Sequence, residues 1–74
     1  MISTTDRHRL TRMKEAGTIN FQGASDSDEA VAIVRYDEKS VAICISKASD
    51  GDMEVVLDKL TAKLLLEVLR KAVA

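Results

Sequence analysis

The apolar residues of this chain follow two periods. At 18–22 (TINFQ), Ile19 and Phe21 alternate with Thr18, Asn20 and Gln22, the pattern of a half-exposed strand at a sheet edge. Segments 30–36 (AVAIVRY) and 40–46 (SVAICIS) are rich in β-branched residues and are joined by Asp37, Glu38 and Lys39, so they read as a hairpin. From Asp58 onward the period lengthens. DKLTAKLLLEVLRKAVA places its apolar residues three and four apart and is built from good helix formers.

Two acidic repeats, ASDSD at 24–28 and ASDGD at 48–52, punctuate this pattern. Asp and Ser favour turns because their side chains bond nearby backbone amides. Asp50-Gly51 is a strong hairpin signal, since a type I′ turn needs positive φ at both central residues. A two-residue loop there predicts the pairs Ser49–Asp52, Ala48–Met53, Lys47–Glu54, Ser46–Val55 and Ile45–Val56. An EF-hand-like calcium loop needs further oxygen ligands and a closing glutamate at a fixed distance. DSDE and DGD supply only the opening aspartates, so no metal is expected at either repeat.

The final helix is predicted to start from Asp58 as N-cap. Lys63–Glu67 and Glu67–Lys71 are spaced four apart, and Arg70 and Lys71 lie at the negative end of the helix dipole. A short N-terminal helix can form over 5–16, with Thr4 or Thr5 as N-cap, Asp6 in the first turn, Lys14 in the last and Gly17 as a left-handed stop. Its stripe of Leu10, Met13 and Ala16 is thin. The expected architecture is α+β: a small antiparallel meander of three to four strands, with a C-terminal amphipathic helix packed on one face. Residues 1–16 form a basic arm or short helix, and residues 17–74 form the domain.

This arrangement leaves apolar surface over. At ~100° per residue the apolar side chains of the last helix span roughly 200°, wider than one sheet contact needs. Strand 40–46 puts Val41, Ile43 and Ile45 on one face and Ala42, Cys44 and Ser46 on the other. The small-residue face suits a close-packed helix. The bulky face, which Val56 joins in the predicted register, is left uncovered, although one sheet with one helix normally keeps its second face polar. The N-terminal segment, a second subunit or a different protein could cover it. The predicted contact residues are Val41, Ile43, Ile45 and Val56 on the sheet, with Leu66 and Val73 on the helix flank.

Composition narrows the chemistry. A chain of 74 residues holds one modest core and often needs a disulfide, a metal or a partner for firm stability. Cys44 is the single cysteine and His8 the single histidine, which excludes an internal disulfide and any multi-cysteine or two-histidine metal site. Self-association remains. The three glycines stand at 17, 23 and 51, so there is no phosphate loop, and no nucleophile–histidine set can be assembled. Cys44, inside a strand, reads as a small hydrophobe. No catalytic residue, cofactor or metal is expected, and the chain is not expected to be an enzyme.

The N-terminus carries no long apolar stretch, so neither a leader nor a membrane span is expected, and the free cysteine fits the cytoplasm. Net charge is −1, unevenly placed: Arg7, Arg9, Arg12 and Lys14 make the first 23 residues basic, and the remainder is mildly acidic. Four strands and a long final helix are similar in element order to the transcriptional coactivators that bind single-stranded DNA as dimers. That likeness rests on order, without a shared motif. Such binders use basic sheets with stacking aromatics, whereas this sheet offers Arg35, Lys39, Lys47 and Tyr36 in an acidic body.

The expectation is therefore a small cytoplasmic protein-interaction module, working as a homodimer with or without a further protein partner. Accessory, regulatory and inhibitor proteins, including phage-encoded ones, are often of this kind. The alternative is a small dimeric nucleic-acid-binding protein that uses Arg7, Arg9, Arg12 and Lys14 of the arm.

Overall fold

The computed structural model describes residues 12–74. Four strands, β1 (Lys14–Gln22), β2 (Glu29–Tyr36), β3 (Ser40–Lys47) and β4 (Gly51–Asp58), are followed by one helix, α1 (Lys59–Val73). The strands form a single sheet in the order β1-β2-β3-β4, each antiparallel to its neighbour. The α+β meander with its C-terminal helix is thus the architecture of the chain, and β1 and β4 are its edges.

β1 starts earlier than the alternation at 18–22 suggests. Lys14 and Glu15 pair with Tyr36 and Arg35, and the ladder then slips by one residue before Gly17 meets Val34, leaving a bulge at Ala16. The end of the helix predicted over 5–16 is therefore strand. A short, polar helical segment has little intrinsic stability, and ladder pairing to β2 overrides it. Arg12 is helical and Met13 a bend, and residues 5–11, with Arg7 and Arg9, lie outside the described residues.

The turn before β4 also differs from the two-residue reading. Lys47 pairs with Gly51, so the loop is Ala48, Ser49 and Asp50, closing on a glycine at φ +81°. A three-residue hairpin loop that ends on a left-handed glycine is the other turn an Asp-Gly pair serves. The positive φ is as predicted, but the register is shifted by three residues. An odd shift turns every β4 side chain to the opposite face. Ser46 faces Asp52, Cys44 faces Glu54, Ile43 faces Val55 and Val41 faces Leu57. The Ser46 hydroxyl donates to the Asp52 carboxylate across this ladder.

At the other end of the sheet, Asp37 shapes the β2–β3 turn. Its carboxylate accepts from the Lys39 and Ser40 amides at 2.9 and 2.8 Å. Asp58 caps α1 as predicted, with its Oδ1 accepting from the Thr61 amide at 2.7 Å. That bond holds its carboxyl below the usual carboxylate range. α1 meets β4 and β3, and its least exposed residues, Lys59 and Ala62, are both in the first turn or just after it. No residue of α1 is buried.

The buried core among the described residues is small. Met13 and Ala42 are 8 % and 4 % exposed, with Val56 packed against them. Met13 therefore lies on the small-residue side of β3, away from Ile43 and Ile45.

Candidate interaction surface

The two faces of the sheet differ in kind. One carries Thr18, Asn20 and Gln22 of β1, Val31, Ile33 and Arg35 of β2, Ala42, Cys44 and Ser46 of β3, and Asp52, Glu54 and Val56 of β4. The other is apolar between two lysines, Lys14 and Lys47, that lie at its ends. One row across it reads Ile19, Ala32, Ile45, Met53; the next reads Gly17, Val34, Ile43, Val55; a third reads Lys14, Tyr36, Val41, Leu57. The register produces this separation, because it places the three bulky positions of β3 opposite the three bulky positions of β4.

Every large exposed hydrophobic of the sheet belongs to that second face: Ile19 at 64 %, Met53 at 72 %, and Phe21, Tyr36, Ile45 and Val55 at about two-fifths exposed or slightly more. Exposure rises along β4 from half-buried Leu57 through Val55 to Met53, away from the point where the chain enters α1. The Lys59 ammonium sits 5.4 Å from the centroid of the Tyr36 ring, which ties the start of the helix to the border of this face. Beyond its start α1 presents Leu64, Leu66, Val68, Leu69 and Val73 to solvent, the last at 82 %. A soluble monomer rarely exposes an apolar patch above roughly 300–600 Å².

Of the predicted contact residues, Val41, Ile43 and Ile45 lie on the apolar sheet face, and Leu66 and Val73 are exposed on α1. Val56 does not join them. It faces Ala42 and packs with Met13 on the other side, because the three-residue loop turns β4 over. Met53 and Val55 stand where Val56 was expected. Ile19, Phe21 and Tyr36 complete the face, and their alternation with polar neighbours was the available signal.

The loops at one end of the sheet form a separate polar cluster. Within 23–28, the Gly23 amide donates to the Asp28 carbonyl and the Ser27 amide to the Gly23 carbonyl. Asp26 accepts from the Asp28 amide at 3.0 Å and from the Lys47 ammonium at 2.6 Å. Asp28 accepts from the Ser49 hydroxyl at 2.6 Å and its amide at 3.2 Å. Lys47 also lies 3.4 Å from Asp50. The two acidic repeats are thus clasped to each other across the β2–β3 hairpin.

The Lys47 bond holds the Asp26 carboxyl below its usual range, the Ser49 bonds do the same for Asp28, and the Asp26 bond raises Lys47. No group of three or more His, Cys, Asp or Glu side chains among the described residues is arranged to hold a metal ion.

Cys44 is half-buried on the face that carries Ala42 and Val56. Burial, together with the carboxylates of Glu54 and Asp52, pushes its thiol up, which disfavours the reactive thiolate. Arg12 is exposed, and Lys14 is exposed at the β1 edge. No helix of the described residues is long and apolar enough to cross a membrane. Comparison with protein-family models, curated proteins and solved structures finds no match.

Proposed function

We propose that this chain is a small, non-catalytic protein-interaction module that acts in the cytoplasm as a homodimer, in an accessory, regulatory or inhibitory role. The observation that carries the reading is the largely apolar sheet face, with Ile19, Phe21, Tyr36, Ile45, Met53 and Val55 exposed on it, beside a helix with no buried residue. A sheet and an amphipathic helix must each bury an apolar face to be stable. Within the described residues one chain does so only at Met13, Ala42 and the helix start.

Sedimentation equilibrium at micromolar concentration tests this, and a dimer is the expected species. A monodisperse monomer overturns the reading. Titration with labelled single-stranded DNA at low and moderate salt separates it from a nucleic-acid role, because phosphate contacts give steeply salt-dependent binding.

A further inference from the structure

We propose that the dimer forms by helix exchange, with α1 of each copy lying on the apolar sheet face of the other. This rests on the homodimer reading above and specifies which surfaces meet. The first argument is shape. On the apolar face β2 contributes Ala30, Ala32 and Val34, with the Tyr36 ring closing one end, while β1 contributes Ile19 and Phe21 and β3 contributes Ile43 and Ile45. The small side chains of β2 make a trough along the strand between two higher ridges.

The second argument is length. Fifteen residues of helix extend about 22 Å, and the five residues from Ala30 to Val34 about 17 Å. One helix therefore fills the trough with about one turn left over.

The third argument is charge. α1 carries Lys59, Lys63, Arg70 and Lys71 against Glu67 alone. The loop end of the sheet carries Asp26, Asp28, Asp50 and Asp52 around Lys47. A basic helix laid on an acidic-ended sheet is complementary, and such complementarity steers the encounter.

Area agrees. The exposed large hydrophobics of the sheet face and α1 together amount to on the order of 1,000 Å² per protomer, and a stable interface needs about 800 Å² from each partner. Exchange is also self-complementary: a two-fold axis that places one helix on one sheet places the second helix on the second sheet. The arc of α1 turned away from its own first-turn contacts, around Leu64 and Val68, is the side left for the partner.

Cysteine pairing reads the arrangement directly. In a Cys44→Ser background, one chain carries Ala32→Cys in the trough and another carries Val68→Cys on the outer arc of α1. After mixing and oxidation with diamide, the 32–68 linked dimer is expected to exceed either self-linked product roughly tenfold, the advantage of a juxtaposed pair over random encounter.

A single chain bearing both substitutions should link between copies at low concentration. An intrachain 32–68 disulfide would mean that α1 folds back on its own sheet, and it overturns the exchange. Predominant 68–68 linkage would mean that the helices pair with each other, and it overturns the exchange while leaving the homodimer intact. A chain that sediments as a monomer defeats both readings, so the two failures are distinguishable.

Discussion

Met53→Asp separates the stability of the protomer from that of the assembly. Met53 is 72 % exposed on edge strand β4. Full burial of a methionine contributes about 1.5–3 kcal/mol, so the covered quarter of this side chain is worth only ~0.5 kcal/mol to an isolated protomer. Strand propensity adds a term of at most about 1 kcal/mol. If a second copy covers the remainder, ~1.5 kcal/mol is lost at each of two symmetric positions, and each buried carboxylate costs roughly 1–3 kcal/mol more in desolvation. The dimer should then weaken by about 5 kcal/mol or more, at least ~1,000-fold in Kd. Sedimentation equilibrium over a concentration series gives Kd, and circular dichroism shows whether sheet and helix persist. A folded variant whose dimer is weakened less than about tenfold refutes the placement of Met53 in the interface.

Three further outcomes follow from the structure. Gly51→Val forces a β-branched residue to φ near +81° and should cost about 1–3 kcal/mol, seen as a lower urea midpoint at unchanged m-value; an unmoved midpoint would contradict the turn. Asp26 and Asp28 titrate below the usual range, so their contribution to stability is present above the unfolded carboxylate pKa and lost as pH falls through their folded values, below about pH 4. Lys47, raised, contributes fully below its unfolded pKa and loses that contribution only as pH rises through its higher folded value. Lys47→Met should therefore move the Asp26 titration upward in a carboxyl-detected NMR experiment; an unchanged Asp26 titration shows that the 2.6 Å ion pair does not persist in solution. Cys44, half-buried with a raised thiol, should label slowly in native protein and much faster in denaturant, and rapid native labelling would indicate an open site.

Strands β2 and β3, the cap at Asp58 and the helix were legible in the sequence because each rests on local pattern. β-branched alternation, an acidic N-cap and a 3.6-residue period need no knowledge of the neighbours. The start of β1 was not, because Lys14, Glu15 and Ala16 are ordinary helix formers whose strand state comes from pairing with Arg35 and Tyr36. The β3–β4 register failed for a different reason. Asp-Gly serves both a two-residue and a three-residue loop, and the dipeptide alone does not choose between them. The choice lay in the flanking pattern: only the longer loop puts Val41, Ile43 and Ile45 opposite Leu57, Val55 and Met53, whereas the shorter one sets Ile43 against Asp58. The apolar face was thus half-read, with its β3 members right and its β4 member on the wrong side.

The edges of the sheet bear on how far assembly can proceed. An open four-stranded sheet offers two rims on which further copies could add strand by strand into a fibre. At β1 the extra residue at Ala16 breaks the regular spacing of amides and carbonyls that an incoming strand must match. At β4, Asp52, Glu54 and Asp58 share one side, so two copies running antiparallel along that rim would bring carboxylates against carboxylates. Growth in the plane of the sheet is resisted at both rims, while contact perpendicular to it is favoured, and a reciprocal contact of that kind uses up its own surface. The proposed exchange would pair the chain once and then stop.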